Sequence, residues 1–454
     1  MSTDDTQAAA AHKAIDALWR IESARLIAGL ARITRDVGLA EELAQDALVA
    51  ALEQWPSAGI PPNPAGWLMT TAKNRTIDAA RRNDVYQRKL VIIGRDLEAR
   101  QESGADLDDA LDDHIGDDLL RLIFTACHPV LSMESRVALT LRCLGGLTTE
   151  EIARAFLVPE STAAQRIVRA KRTLAERSVA FELPTPDELA GRLAAVLEVV
   201  YLIFNEGYSA TAGDDWMRPA LCEEAMRLAR ILAGLVPAEP EVHGFVALLE
   251  LQASRTPSRT AADGTVVLLL DQDRRRWDRL LIRHGLDSLA RAEALASAPI
   301  PDPPGRTRAA ADAPPGRTSA PGRPPALGVY TLQAAIAACH ARAATPGDTD
   351  WERITALYEL LRHAWPSPVV ELNRAVAVAM ARGPAEGLAI VDAIAGAPEL
   401  RGYPQLHAVR ADLLDRLGRG EEARAEYENA AATTRNARER DLYRARATGG
   451  RDRT

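Results

Sequence analysis

The sequence is poor in cysteine and in aromatic residues, and these shortages exclude several classes of site. Four cysteines occur among 454 residues, and aromatic residues make up 4 % of the chain. No CxxC pair is present, so we predict reduced thiols with neither a disulfide framework nor a structural zinc site. Cys339 and His340 adjoin, but neighbouring side chains on a helix point apart and no second ligand pair follows. We therefore predict no metal and no cofactor.

The sequence also lacks an apolar run long enough to cross a membrane. Its longest candidate, residues 193–204, contains Glu198 and falls short of the ~20 residues that a spanning helix needs. Residues 1–11 are polar and alanine-rich, without the charged-then-apolar pattern of a secretory signal. These features predict a cytoplasmic protein that does not insert into a membrane.

The charge balance limits how the chain could bind nucleic acid. The net charge is −8, so binding through the whole surface is excluded and any contact with DNA must use local basic patches. Alanine, leucine and arginine are abundant, and these residues lose little side-chain freedom in a helix. We expect an all-α protein of two to four domains.

Helical periodicity begins near the N-terminus. Apolar residues recur at helical spacing over residues 15–33, and Gly38 is predicted to end that helix before a second one over residues 40–55. Prolines mark residues 56–64 as a loop. A basic amphipathic helix is expected over residues 67–82, and an acidic segment follows at 95–118.

Residues 119–177 have the pattern of a compact helix-turn-helix domain. Thr148 and Glu151 have the spacing of a capping box at the start of one helix. Residues 157–159 supply a turn, and a second helix begins near Glu160. We expect Ile167, Val168 and Leu174 to anchor this second helix, with its basic residues outside.

Two basic helices in this order, separated by an acidic segment, resemble bacterial RNA polymerase sigma factors of the extracytoplasmic-function group, within the sigma-70 family. The resemblance covers about residues 12–178. It implies that the first basic helix reads and melts the −10 element, with Asn74 and the residues near Trp67 holding a flipped base. The DNA-binding residues implied there are Trp67, Lys73, Asn74, Arg75, Arg81 and Arg82. Taken alone, this helix fits better with a solvated amphipathic helix whose arginines pair with acids such as Asp78 and Asp84.

The resemblance also implies that the helix over residues 40–55 binds the core polymerase. Glu41, Glu42, Gln45 and Asp46 are expected on its outer face, where acidic side chains suit a basic partner. The partners that the resemblance implies are core RNA polymerase, through the clamp and flap of its large subunits, and promoter DNA. A solvated acidic face remains the alternative for this helix.

The second basic helix is implied to read the −35 element from the major groove. The residues expected to contact DNA are Ser161, Thr162, Gln165, Arg166, Arg169, Lys171 and Arg172. Ala164 stands where many relatives carry a lysine or arginine, so no known −35 sequence is transferred to this chain.

We divide the chain by composition and resemblance. The expected parts are sigma region 2 at 12–92, an acidic linker at 93–117, sigma region 4 at 118–180, a helical extension at 185–297, a Pro/Gly/Arg-rich insertion at 298–326 and a tetratricopeptide-like part at 327–445. Residues 406–434 carry one good tetratricopeptide pattern and residues 366–397 a looser copy, which favours a solenoid of helical hairpins. The extension is expected to regulate in cis or to bind a protein or peptide.

Two polar-aromatic segments in the extension, residues 201–208 and 270–278, could form either a buried polar network or a ligand pocket. No nucleophile, phosphate loop or metal spacing accompanies their carboxylates, so we do not predict an enzyme. Two other functions remain open from sequence alone: a stand-alone helix-turn-helix regulator with a helical sensor domain, and a tetratricopeptide adaptor that binds acidic partners.

Overall fold

The computed structural model describes residues 3–82, 107–297 and 327–449, and these residues confirm the all-α prediction. They form 18 α-helices, five short 3₁₀ turns and two strands of two residues each. The chain divides into two compact units, Met1–Ile203 and Phe204–Thr454.

The first unit contains two groups of helices. Its helices are α1 Thr3–Thr34, α2 Val37–Ala58, α3 Pro64–Arg82, α4 Leu107–Ala126, α5 Met133–Cys143, α6 Thr149–Ala155, α7 Glu160–Glu176 and α8 Pro186–Tyr208, the last of which ends in the second unit. Helix α1 packs on α2 and α4, α2 packs on α3, and α7 packs on α5 and α6.

The break between α1 and α2 lies at Arg35 and Asp36, so the prediction that Gly38 ends the first helix was wrong. Arg35 adopts a left-handed conformation with φ 56°. Asp36 then caps α2, because its side chain accepts a hydrogen bond from the Leu39 N–H at 3.1 Å. Gly38 lies buried inside α2, where a Cβ atom would come within 3.4 Å of Lys171.

Helix α4 begins inside the segment predicted as an acidic linker. It starts at Leu107, so residues 107–117 are helical, while residues 93–106 lie outside the described part of the chain. Leu107, Leu111 and Ile115 recur every four residues, which suits a helix. Two of its acidic residues, Asp108 and Asp109, fall in the first turn, where the helix dipole favours negative charge.

The predicted helix-turn-helix is present. Thr148 accepts from the Glu151 N–H at 3.1 Å and Glu151 accepts from the Thr148 N–H at 2.8 Å, which completes the capping box of α6. Leu157 makes the turn in a left-handed conformation, with φ 49°. Helix α7 starts at Glu160, as expected.

The second unit is built from ten further helices. They are α9 Pro219–Leu235, α10 Pro240–Ala253, α11 Arg279–Ser297, α12 Val329–Arg342, α13 Trp351–Ala364, α14 Pro368–Arg382, α15 Pro384–Ile394, α16 Pro404–Arg416, α17 Gly420–Thr433 and α18 Ala437–Ala447. A proline opens each of α9 and α10, and proline is favoured at the first position of a helix.

Helix α10 forms the centre of this unit. It packs against α9, α11 and α12, and most of its residues are buried. From α12 to α18 each helix packs on the next, as expected for a solenoid of hairpins. The tetratricopeptide positions Ala411, Leu414, Ala423 and Tyr427 are buried, and Gly418 takes the positive φ of 77° that the turn requires.

The two short strands join the beginning of the second unit to its end. Strand β1, Ala212–Gly213, pairs in parallel with β2, Arg435–Asn436. Asn436 is fully buried beside β1, and its Nδ2 donates to the carbonyl oxygens of Ala210 and Asp215 at 3.0 and 2.9 Å. An isolated antiparallel bridge also joins Thr260 to Val266.

Candidate nucleic-acid interface

Helix α3 rests on α2 and turns polar residues outward. Leu68 and Ala72 are buried, and the Trp67 ring meets the edge of Trp55 with centroids 5.3 Å apart. Asn74 is exposed, so its amide is free to meet a base edge. Burial, together with the nearby charge of Arg32, lowers the pKa of Lys73.

The structure describes the side chain of Arg75 on α3 but not those of Arg81 and Arg82. Arg75 pairs with Asp46 of α2 at 3.5 Å, with Arg75 half-buried and Asp46 exposed. This pair joins a residue predicted to bind DNA with one predicted to bind the polymerase. Arg81 and Arg82 lie in the last turn of α3, but their side chains lie outside the described part of the structure.

Helix α7 has one buried face and one exposed polar face. Ala163, Ile167, Ala170 and Leu174 are buried at helical spacing. On the opposite side Ser161, Gln165, Arg169 and Arg172 are exposed, while Thr162 and Arg166 are half-buried. An exposed polar and cationic stripe on the second helix of a helix-turn-helix has the geometry of a major-groove reader.

Val168 belongs to that exposed stripe, which corrects the expectation that it anchors α7. Its exposed fraction is 63 %, whereas the preceding Ile167 is buried. Successive residues on a helix are rotated by roughly 100°, so Ile167 and Val168 point in different directions, and on α7 only Ile167 of the two faces the core. The sequence signal was available, because Val168 follows Ser161 and Gln165 at helical spacing.

Glu41 is not on the outer face of α2, as the sequence analysis expected, but is 4 % exposed. Its Oε1 accepts from Nε of Arg142 at 2.8 Å, and its Oε2 accepts from Nζ of Lys171 at 2.5 Å. Burial acts to lower the pKa of Lys171, but the opposing effect of Glu41 leaves that pKa raised. Lys171, expected to face DNA, is turned toward α2 instead.

The other acidic residues of α2 lie nearer to solvent. Glu42 and Asp46 are exposed, and Gln45 is half-buried with its Nε2 donating to Glu41 at 2.6 Å. The Glu42 carboxylate also lies 3.4 Å from Nζ of Lys171. Three of the four residues predicted to bind the polymerase therefore contact the predicted DNA-reading helices: Glu41 and Glu42 contact Lys171 of α7, and Asp46 contacts Arg75 of α3.

The two polar-aromatic segments of the extension form buried polar networks. Arg274 is buried, and its guanidinium donates to the carbonyl oxygens of His340 and Ala343 at the end of α12. Trp277 packs between Arg274 and Arg255, at 5.2 and 5.7 Å from its ring centroid.

The network around residues 201–208 also binds neighbouring loops. Arg259 lies over the Tyr208 ring at 3.5 Å, with Trp216 on another side at 5.1 Å. Glu206 pairs with Arg218, whose guanidinium also donates to the Ala212 carbonyl oxygen at 2.9 Å. These contacts connect the loop after α8 to the rest of the unit.

Neither a metal-binding cluster nor a disulfide occurs among the described residues. Within residues 3–82, 107–297 and 327–449, no group of three histidine, cysteine or acidic residues is arranged to hold a metal. All four cysteines are buried and free. Among the helices of these ranges, none is long and apolar enough to cross a membrane.

Comparison with known protein families assigns the two modules of the first unit. Residues 19–85 match sigma-70 region 2, and residues 121–174 match sigma-70 region 4. Residues 192–293 match a family of unknown function (DUF6596). The first match contains α3 and the second covers α7 up to Leu174, in the order that the sequence analysis expected.

Similarity to another protein extends over most of the chain. An uncharacterized protein of Rhizobium meliloti (strain 1021) is 44 % identical over 415 residues, which cover 90 % of this chain and 89 % of that protein. No solved structure matches the chain. With both sigma-70 regions present in order and helices continuing beyond them, the chain belongs to the sigma-70 family of RNA polymerase sigma factors and carries a helical C-terminal extension.

Proposed function

We propose that the protein is a sigma factor of the extracytoplasmic-function type that directs core RNA polymerase to a specific set of promoters from the cytoplasm. The observation that carries this proposal is the pair of helices α3 and α7, each with a buried apolar face and an exposed polar or cationic one. The polymerase supplies the phosphodiester chemistry, and the sigma factor selects where it begins.

Helix α3 acts at the −10 element in this proposal. Asn74 reads an unstacked base, and Trp67, held against Trp55, forms one wall of the pocket for that base. Lys73 and Arg75 neutralise phosphates, as do Arg81 and Arg82 at the end of the helix. Unstacking a base costs a few kcal/mol, which the pocket and the phosphate contacts offset.

Helix α7 acts at the −35 element. Ser161, Gln165 and Arg169 lie on its exposed face and would meet base edges in the major groove. Thr162, Arg166 and Arg172 would contact the backbone at the edges of the groove. Glu42, Gln45 and Asp46 dock the protein on a basic surface of the polymerase clamp.

The extension is proposed to act as a cis-regulatory or partner-binding module. Consecutive hairpins from α12 to α18 create the stacked surface that such folds use to bind peptides. These helices continue beyond the matched segment 192–293 within one compact unit, which supports treating Phe204–Thr454 as one element in this proposal.

Transcription in vitro tests this function. Purified full-length protein is added to core polymerase on a fragmented genomic template, and start sites are mapped by sequencing the transcripts. Arg169→Ala should reduce initiation at −35-dependent promoters roughly tenfold, because a base or phosphate contact is lost. Arg177→Ala is the matched control, since Arg177 is exposed one residue beyond the end of α7. Failure of the full-length protein to bind core or to direct any start site would contradict the proposal.

The role of the extension needs a truncation that leaves region 4 intact. Arg192 of α8 donates to the Phe124 carbonyl oxygen at 2.8 Å, and Glu198 lies 3.7 Å from Arg136, so α8 supports this region. A chain ending after Tyr208, where α8 ends, is therefore the suitable truncation. Increased initiation would show that the extension inhibits, and decreased initiation would show that it is required.

A further inference from the structure

The side chain of Glu41 connects region 2 to region 4. It lies on α2 but makes its two closest ionic contacts with Arg142 of α5 and Lys171 of α7, which are 101 and 130 positions away in the chain. The carboxylate is nearly inaccessible, and both cations are largely covered. Two cations around one buried carboxylate satisfy a charge that would otherwise be costly to bury.

Further contacts along α1 hold the same two regions together. Arg32 lies 3.2 Å from the buried Asp118 of α4, and Arg20 lies 2.9 Å from Glu151 of α6. The loop before α6 also approaches α1 closely, because a Cβ atom at Gly146 would lie 2.8 Å from Oγ of Ser23. Region 4 therefore packs along region 2 over several helices.

This packing is incompatible with simultaneous reading of two promoter elements. Elements centred about 25 base pairs apart are separated by roughly 85 Å of B-form duplex, at about 3.4 Å a base pair. Helix α2 contacts both α3 and α7, yet its 22 residues span only about 33 Å. Regions 2 and 4 must separate before α3 and α7 can occupy their elements together.

We propose that the free protein rests in a closed state, in which region 4 covers part of the polymerase-binding helix α2 and the Glu41–Arg142–Lys171 cluster keeps it there. This inference rests on the proposed function of α2 and α7. Glu41 and Lys171 satisfy each other in the closed state, so neither is available to polymerase or DNA. Binding of core polymerase to α2 and of promoter phosphates to α7 favours the open state, because each partner binds only that state well.

An engineered disulfide tests whether the closed state is real and inactive. A Cβ atom at position 38 would lie 3.4 Å from the Cβ atom of Lys171, close to the ~3.5–4.5 Å that a disulfide requires. The full-length double variant Gly38→Cys, Lys171→Cys is compared in oxidised and reduced forms. The native thiols are buried and the pKa of each is raised by burial, to about 11 for Cys127 and about 12 for Cys143 and Cys222, so they should not compete.

We expect the disulfide to form in the free protein. The oxidised form should bind core polymerase roughly tenfold more weakly than the reduced form, and its initiation should fall by roughly the same factor. The single variant Lys171→Cys measures the loss of the lysine alone. Failure of the disulfide to form, or equal initiation by both forms, would overturn the closed state. If wild-type protein itself never initiates, the sigma function fails instead, and the crosslinking yield still tests the contact.

A second measurement follows opening without a crosslink. Dyes attached through Val49→Cys on α2 and Arg177→Cys after α7 occupy exposed positions, so energy transfer between them reports the separation of the two regions. Transfer should be high in the free protein and should fall when core polymerase is added. Glu41→Gln should lower it without polymerase, whereas Glu53→Gln, an exposed acid on the same helix, should not. Equally low transfer in the free and bound wild type would contradict the proposal.

Discussion

Glu241 caps a helix that begins far along the chain, because its Oε1 accepts a hydrogen bond from the backbone N–H of Tyr330 at 2.5 Å. The two residues are 89 positions apart. The other carboxylate oxygen of Glu241 accepts from the backbone N–H and the hydroxyl of Thr331, at 3.3 and 2.7 Å. The start of α12 is thus held by α10, on the other side of the 298–326 insertion.

Glu241→Ala should destabilise the extension. The substitution leaves two backbone amides and one hydroxyl at the start of α12 without their acceptor, which costs roughly 2–4 kcal/mol of unfolding free energy. Denaturant unfolding of the full-length chain measures this change, and hydrogen exchange locates it at α12. Glu223→Ala, at an exposed position on α9, is the control and should change the unfolding free energy by less than about 0.5 kcal/mol. Equal effects of the two substitutions would contradict the capping role.

Gly244→Ala should also destabilise the extension, by overpacking. A Cβ atom at this position of α10 would lie 2.0 Å from Oγ1 and 2.8 Å from Cα of Thr331, so the two helices must move apart. We expect a loss of roughly 1–3 kcal/mol in the unfolding free energy. Gly234→Ala in α9 has open space around it and should instead stabilise by about 0.5–1 kcal/mol. A neutral or stabilising effect of Gly244→Ala would show that α10 and α12 leave room for a Cβ atom at this position, which contradicts the close packing described above.

Val168→Ala should change how the protein reads thymine. An exposed valine between polar readers suits the C5-methyl group of a thymine in the major groove. Replacing each −35 thymine by deoxyuridine removes only that methyl group and should lower initiation by wild type about fourfold at one position. Val168→Ala should not respond to that replacement. Identical responses of both proteins at every −35 thymine would place Val168 away from the bases.

Acid should weaken the extension through His340. Burial, helped by the charges of Arg255 and Arg274, lowers the pKa of His340 to about 3. Below about pH 6.5, the ordinary pKa of histidine, His340 is protonated in the unfolded chain but stays neutral in the folded chain. The free energy of unfolding is therefore highest above about pH 6.5 and decreases as the pH falls toward 3. From this one residue the loss is roughly 2 kcal/mol at pH 5.

His340→Phe separates this effect from the other titrations. The variant keeps a ring beside Trp351, which meets His340 edge-on at 5.2 Å, and it should flatten the decline in unfolding free energy between pH 6.5 and 4. His363→Phe, at an exposed position on α13, should leave the decline as in wild type. The same pH slope in His340→Phe and wild type would show that His340 is already charged in the folded chain.

The sequence predicted the fold best where local signals agreed. Helix α10 could be placed at Pro240–Ala253 because a proline opens it and apolar residues fill it. The break before α2 was misplaced because Gly38 was taken as the signal for it. The better local signal was Asp36, whose side chain caps α2 by accepting from the N–H of Leu39 three residues later. Val168 was misplaced because two adjacent apolar residues were assigned to one face.

The site was harder to predict, since its polar contacts join distant parts of the chain. The partners of Glu41 lie more than 100 positions away, and no local pattern marks them. A solvent-facing acidic helix and one that meets a second module have the same periodicity. The family resemblance predicted which modules are present, but not that they pack against each other.

The pairing of Ala212–Gly213 with Arg435–Asn436 decides how the extension can be exchanged between sigma factors. A graft that stops at residue 293, where the matched family segment ends, would lack Asn436. The carbonyl oxygens of Ala210 and Asp215 would then lose the hydrogen bonds that the Asn436 amide donates to them. Hybrid proteins should therefore receive the extension as a single cassette that runs through Ala447, with its first loop and its last helix taken from the same donor.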